Sequence, residues 1–111
     1  MGMKTANSVQ SALDLLVLTV LGRRGPLHGY GIANAIQDLS KEALRVDEGS
    51  LYPALHRMEE AGWITAEWMV TENKRRARIY RMTRAGTKQL RAETERWDRF
   101  SNGVARVLQH A

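Results

Sequence analysis

The sequence contains no cysteine. It therefore offers no disulfide framework, no thiolate ligand for a metal and no cysteine nucleophile. A secreted domain of 111 residues is usually stabilised by disulfides, so their absence favours a reducing environment and predicts a cytoplasmic protein. A chain of this length is also expected to form one domain.

Long hydrophobic runs are missing as well. The longest apolar stretch, Leu15–Leu21, is far shorter than the roughly 20 residues that a membrane-spanning helix needs. The first residues also lack the apolar segment of a signal peptide. The sequence therefore predicts neither a membrane anchor nor a membrane partner.

Known catalytic patterns are absent too. The order of residues gives no Ser-His-Asp triad, no P-loop and no dinucleotide-binding fingerprint. The histidines His28, His56 and His110 are isolated from one another, and no histidine or carboxylate at ligand spacing is expected to converge on them, which predicts no bound metal. An enzyme is therefore disfavoured, and no cofactor is expected.

The charge of the chain is unevenly distributed. The net charge is +5, and 13 of the 17 basic residues are arginine, the side chain best suited to bidentate contacts with phosphate and guanine. Residues 37–73 carry eight acidic and three basic residues, whereas residues 74–91 carry eight basic residues and no acidic one. Charge alone does not distinguish a solvated basic face from a surface that binds a polyanion.

Hydrophobic periodicity predicts the element order α-α-α-β-β-α, a mostly helical α+β fold with a two-stranded β wing. The predicted elements are a loose arm over residues 1–9, a buried helix over residues 12–21, a helix over residues 28–40, a helix from about Asp47 to Ala61, strands over residues 63–70 and 77–82, and a long helix that Thr83 caps and that ends near Gln109.

The sequence leaves open where the first and third helices begin, and whether the first element is a helix or a strand. The first helix is capped by Ser8 or Ser11, and its apolar segment is short enough to be a buried strand instead. The third helix begins after an N-cap at either Asp47 or Ser50. Pro53 falls in the first turn, where no N–H is needed, only if Ser50 is the cap.

Three short helices followed by a β ribbon form the plan of a winged helix-turn-helix. In that plan the third helix enters the major groove of DNA as the recognition helix. The tip of the predicted ribbon is strongly basic, although a turn needs only small residues there. The pattern therefore predicts double-stranded DNA as the partner. An RNA-binding or protein-interaction module on the same fold is the alternative.

The last predicted helix carries an apolar stripe at helical spacing. Its members are Leu90, Trp97, Phe100, Val104, Val107 and Leu108. This is more apolar surface than a small monomer leaves exposed, so the helix predicts a homodimer. We therefore expect a DNA-binding unit over residues 1–82 and a dimerisation helix over residues 83–111, within one compact body.

Several motifs resemble a known family over about residues 12–108. They are GPLHGYGI at residues 25–32, GSLYPALHRME at residues 49–59, GWI at residues 62–64, and YRMT at residues 80–83 with Gly86 close behind. Together they resemble the PadR family of winged-helix transcriptional regulators, in its short form with a single C-terminal helix. The resemblance implies a bacterial, homodimeric DNA-binding repressor that dimerises through this helix. In some relatives a small aromatic or hydrophobic effector releases the DNA.

Candidate DNA contacts come from three parts of the fold. They are Ser50, Tyr52, Pro53 and Arg57 on the third helix, Lys74, Arg75, Arg76 and Arg78 on the wing, and Tyr30 at the start of the second helix. We expect Arg57 to be exposed and to contact base edges, and the wing to contact phosphates. Tyr52 either packs half-buried or contacts a phosphate or a thymine methyl group. Asp47 and Glu48 suit the helix dipole but oppose a phosphate contact at that helix end.

The tryptophans divide between two predicted roles. Trp63 and Trp68 are expected to pack in the wing and core. Trp97 is expected at the dimer interface, with an effector pocket between protomers as the alternative.

Overall fold

The computed structural model describes the backbone of residues 5–111 and the side chains from Ser11 onward. The elements are α1 (Thr5–Arg24), β1 (Leu27–His28), α2 (Gly29–Leu39), α3 (Glu48–Glu60), β2 (Ile64–Val70), β3 (Arg76–Met82) and α4 (Arg84–His110). The mostly helical winged-helix fold expected from the sequence is confirmed. None of the helices in this part of the chain is long and apolar enough to cross a lipid bilayer.

The first helix is longer than its apolar core suggests. α1 begins at Thr5, so the predicted loose arm is wrong for residues 5–9, and residues 1–4 lie outside the described part. Ser8 and Ser11 lie inside the helix and do not cap it, and the strand alternative is wrong. No glycine or proline occurs between residues 5 and 21, so no residue in this stretch breaks the helix.

The core lies where α1, α2, α3 and the sheet meet. Its buried apolar residues are Val17, Leu18, Val20, Leu21, Ile32, Ala35, Ile36, Leu51, Ala54, Leu55, Met58, Ile64 and Tyr80. Leu51, Leu55 and Met58, whose spacing in the sequence predicts one helical face, therefore face inward on α3. Ile32 and Ile36 do so on α2, whereas Leu39 at its end is exposed. This packing fixes α3 with its opposite side toward solvent.

The N-caps of α2 and α3 are side chains of the preceding residues. Nδ1 of His28 accepts a hydrogen bond from the Gly31 N–H at 2.9 Å, and Asp47 Oδ1 accepts from the Ser50 N–H at 2.8 Å. Asp47 is therefore the cap, and the alternative cap at Ser50 is wrong. Pro53 consequently lies inside α3, where its missing N–H leaves one carbonyl of the first turn without a helical donor.

The wing is part of a three-stranded sheet. β2 and β3 pair antiparallel from Ile64 opposite Met82 to Val70 opposite Arg76. The short strand β1 adds to the other edge of β3 and gives the order β1-β3-β2. The two-stranded sheet predicted from the sequence is therefore incomplete. A strand of two residues is too short to produce an alternating pattern.

The tip of the wing is a closed turn. The Thr71 N–H donates to the Arg75 carbonyl at 2.8 Å, and the Lys74 N–H donates to the Thr71 carbonyl at 2.9 Å. Lys74 has a positive φ of 59°, a conformation that an ordered turn imposes on a non-glycine residue. These contacts hold the basic residues of the tip in a defined position.

The start of α4 is anchored to the base of the wing. Thr83 Oγ1 caps the helix by accepting from the Gly86 N–H at 3.0 Å, and it donates to the Gly62 carbonyl at 2.7 Å. A Cβ at Gly86 would collide with the backbone carbonyl of Trp63, so only glycine allows this close approach. The first half of α4 packs on α1, and the second half extends away from the core.

Candidate nucleic-acid interface

An open groove runs between the outer side of α3, the wing and the start of α2. Its volume is about 820 Å³. Its lining includes His28, Tyr30, Tyr52, His56, Trp68, Arg75, Arg76 and Arg78. Aromatic rings and guanidinium groups therefore meet in one concave surface.

The outer side of α3 carries polar residues next to one ring. Ser50, Pro53, His56 and Glu60 are exposed, His56 Nε2 lies 2.7 Å from Glu60 Oε1, and Tyr52 is 43% exposed. The Tyr52 hydroxyl would lie 2.8 Å from a Cβ at Gly29, so the ring rests on the backbone at the start of α2. Tyr52 is therefore partly covered, and the hydroxyl end of its ring lies against the start of α2.

Arg57 does not lie free on this surface. Its Nη1 and Nη2 atoms donate to the two carboxylate oxygens of Asp14 in α1, at 2.9 Å and 2.6 Å. This hydrogen-bonded carboxylate raises the pKa of Arg57 above its usual value, although partial burial acts in the opposite direction. The expectation that Arg57 is exposed is wrong, because the bidentate ion pair holds the guanidinium between two helices.

The buried partner of this ion pair belongs to a small polar cluster. The Asp14 side chain is 6% exposed and that of Arg57 is 35% exposed. A second buried carboxylate, Glu93 of α4, accepts a hydrogen bond from Gln89 at 2.8 Å. Glu93 also contributes to raising the pKa of Arg57, which places the guanidinium near acidic groups of α1 and α4.

The wing divides its basic residues between two environments. Lys74, Arg75 and Arg76 are exposed at or beside the tip, as their predicted role requires. Arg78 instead pairs with Glu59 at the end of α3, with 3.0 Å between Nη2 and Oε2. Its Nε atom is buried without a hydrogen-bond partner among the described residues. Arg78 is therefore less available to a ligand than the tip residues are.

Trp68 lies on the face of the wing that borders the groove. It is 57% exposed, so of the two predicted environments, wing and core, Trp68 packs in the wing. The guanidinium carbon of Arg76 lies 4.8 Å from the ring centroid and that of Arg78 lies 5.7 Å away. Both distances are within the range of a cation–π interaction. Trp63, by contrast, packs against the core as expected.

The start of α2 contributes one exposed ring. Tyr30 projects into solvent and stacks on His28, with 6.2 Å between ring centroids. Because Nδ1 of His28 accepts the capping hydrogen bond, the Nε2 atom must carry the proton in the neutral ring. Tyr30 lies at the edge of the same groove, beside the predicted contact residues of α3.

In the structure, the predicted apolar stripe of α4 is partly packed against the core and partly exposed. Leu90 packs against the core, so it does not belong to an exposed stripe as the sequence suggested. Trp97 and Val104 are 45% and 41% exposed, and Leu108 is 79% exposed. Phe100 lies beside Trp97, with 5.8 Å between ring centroids. The second half of α4 therefore presents a largely uncovered apolar face.

Four residues of this surface and its support were not predicted from the sequence. They are Asp14, His56, Glu59 and Trp68. Asp14 had a signal, because a single carboxylate inside an apolar helix must find a buried partner. The sequence predicts His56 on the outward side of α3, but the charge of Arg57 makes Arg57 the stronger candidate for a base contact.

Comparison with known proteins identifies the family. A family model described as the transcriptional regulator PadR-like family matches residues 17–92. The chain belongs to this family. The PadR-like family is one of transcriptional regulators, which sets the enzyme alternative aside.

Individual relatives agree with this assignment. Over 50 residues the chain is 46% identical to the transcriptional regulator Rv3488 of Mycobacterium tuberculosis, which covers 45% of this chain and 46% of that protein. The chain therefore matches less than half of that relative's length. A transcriptional regulator from Clostridium thermocellum, Cth-833, has a TM-score of 0.80 at 27% identity, covering 90% of this chain and 96% of that one.

A DNA complex is among the similar structures. Bacillus subtilis PadR in complex with operator DNA has a TM-score of 0.65 at 25% identity, covering 73% of this chain and 45% of that one. That relative is considerably longer than the present chain.

Proposed function

We propose that this PadR-like protein binds operator DNA as a homodimer and represses transcription in the bacterial cytoplasm. One observation carries the proposal: a basic wing tip and the solvent side of a recognition helix border the same open groove. A winged helix uses these two surfaces on adjacent grooves of DNA. The similarity to Bacillus subtilis PadR, whose structure is a complex with operator DNA, supports operator DNA as the partner.

Affinity comes mainly from the wing. Lys74, Arg75 and Arg76 are exposed on an ordered turn, so they can meet phosphates without an additional cost of ordering a loop. Tyr30 adds a hydroxyl at the other rim of the groove. Contacts of this kind bind any sequence and weaken as salt rises.

Specificity comes from the outer side of α3. With the guanidinium of Arg57 engaged by Asp14, the remaining candidates on this side are the exposed residues Ser50, Tyr52 and His56. The His56 imidazole pairs with Glu60 at 2.7 Å, but both side chains are largely exposed, so this pair is weak enough to open on binding. A hydroxyl accepts or donates at several base edges, and the methylene groups of Pro53 suit a thymine methyl. We therefore assign base contacts to these residues and a supporting role to Arg57.

The second half of α4 forms the dimer. An exposed apolar face is formed by Trp97, Val104 and Leu108. A second copy of the same helix would bury this face against an equally apolar surface. A two-fold dimer presents two recognition helices, which favours a palindromic operator with half-sites about one helical turn apart, or a multiple of this distance. Binding of a small aromatic or hydrophobic effector beside Trp97, between the protomers, is the proposed means of releasing the DNA.

Binding to DNA upstream of the protein's own gene tests the proposal. Fluorescence anisotropy with this duplex, a shuffled duplex of equal composition and a duplex RNA should be measured at two salt concentrations. We expect a clear preference for the upstream DNA that survives at the higher salt. Equal affinity for the two DNA duplexes, or tighter binding to the RNA, would contradict a sequence-specific DNA regulator.

A further inference from the structure

The wing is joined to the recognition helix by side chains midway along its length. Glu59 lies in the last turn of α3, and Arg78 lies in the part of β3 that pairs with β2 near the tip. Their ion pair, at 3.0 Å, crosses between the two elements. Both side chains are about one-third exposed. Water and salt therefore screen the attraction between them less than they would at a fully exposed surface.

Trp68 completes this cross-link from the neighbouring strand. It pairs directly with Arg78 across the sheet, and its ring lies beside the guanidinium groups of Arg78 and Arg76. The planar groups therefore form a stack that leads from Glu59 to the base of the wing tip. Such a stack restricts the rotamers of both arginines.

We propose that Glu59, Arg78 and Trp68 form a wing clasp that sets the distance between the basic tip and the recognition helix. This inference rests on the proposed DNA-binding function and adds positioning residues to it. In the described part of the chain, β1 pairs with β3 at Ile79 and Tyr80, and the hairpin from Arg78 to the tip lies beyond this pairing. Without the clasp, this outer part of the hairpin can bend away from α3, so Lys74 to Arg76 lose their fixed spacing from that helix.

The clasp gives Glu59 a role opposite to the one that its charge predicts. A carboxylate beside a DNA-binding groove repels phosphates, so its removal should strengthen binding to every duplex. If Glu59 positions the wing, removal should weaken operator binding instead. The sign of the effect therefore separates the two explanations.

The experiment measures operator affinity and its salt dependence for Glu59→Ala, with Glu72→Ala at the wing tip as the matched removal of one negative charge. We expect Glu59→Ala to weaken operator binding roughly fivefold to thirtyfold, since each dimer loses two partly exposed ion pairs. We also expect a smaller salt slope, because the wing then neutralises fewer phosphates. Glu72→Ala should bind as tightly as the unmodified protein or more tightly. Stronger operator binding by Glu59→Ala would overturn the clasp.

Two further variants keep the result decisive. Glu59→Gln retains an acceptor for Arg78 and should recover most of the affinity, whereas a pure charge effect makes Gln and Ala equivalent. The double variant Glu59→Ala with Arg78→Gln should be no weaker than either single variant, because the clasp is broken only once. If Glu59→Ala binds more tightly and Arg78→Gln binds more weakly than the unmodified protein, and the double variant has an intermediate affinity, then Arg78 contacts DNA directly.

These outcomes are distinct from failure of the proposed function. If the unmodified protein shows no preference for operator DNA, both the function and the clasp are wrong. If it does, and removal of Arg75 and Arg76 weakens binding while Glu59→Ala does not, only the clasp is wrong. Circular dichroism of each variant establishes that the fold is retained.

Discussion

Replacing Arg57 with alanine should unfold the protein more readily instead of changing which bases it prefers. The substitution leaves the Asp14 carboxylate, whose side chain is 6% exposed, without its two guanidinium donors. Removing one partner of a fully buried ion pair costs about 3–5 kcal/mol. Because the Arg57 side chain is 35% exposed, water can partly replace it, and we expect a loss of about 2–3 kcal/mol.

Thermal and urea denaturation at one fixed protein concentration measure this loss. A destabilisation of this size lowers the melting temperature of a domain of this length by roughly 10 °C. Arg45→Ala is the matched control, since its pair with Glu42, at 3.5 Å, is largely exposed and should contribute less than about 1 kcal/mol. The double variant Asp14→Leu with Arg57→Met should recover most of the stability, because it removes both charges together.

If Arg57→Ala melts like the unmodified protein and loses operator affinity while keeping its affinity for random DNA, the side chain leaves Asp14 to contact bases. The role that the sequence suggested for Arg57, contact with base edges, would then be correct. This comparison uses the affinities of the unmodified protein and of Arg57→Ala for specific and random duplexes at 25 °C, where both proteins are expected to stay folded.

Three further predictions address other parts of the molecule. Replacing Trp97 and Leu108 together with glutamate should give a monomer in light scattering, because two buried charges per protomer cannot be accommodated across an apolar helix interface. Replacing Arg75 and Arg76 with alanine should weaken binding to all duplexes and reduce the slope of log K against log salt by about 0.9 for each phosphate that is no longer neutralised. Gly86→Ala should lower the melting temperature, because the added Cβ collides with a backbone carbonyl at the base of the wing.

Each of these has a control within the same element or an outcome that would contradict it. Arg99→Glu with Arg106→Glu introduces acidic residues on the other side of α4 and should leave a dimer. An unchanged dimer after the Trp97 and Leu108 substitutions would contradict the proposed interface. An unchanged salt slope after removal of the tip arginines would show that they do not meet phosphates. Gly103→Ala, where nothing lies near the added Cβ, should not lower the melting temperature.

Local sequence patterns predict the four helices and the two long strands, but not the short strand β1. Helical spacing of Leu51, Leu55 and Met58 identified the inward side of α3, and Thr83 marked the start of α4. The family followed from short motifs with characteristic residues at fixed positions. All these features are local, since caps and periodicity depend on residues only a few positions apart.

Which basic residues of the described part stay exposed depends on how the elements pack together. Arg57 and Arg75 look alike in a sequence, yet one is paired with Asp14, which lies 43 residues away, and the other is exposed. Arg78 was grouped with the wing tip, but folding places it beside Glu59, 19 residues away. A guanidinium takes whichever carboxylate the packing of helices and strands brings within reach. Residue type alone does not specify that neighbour, because the path of the chain between the two partners determines it.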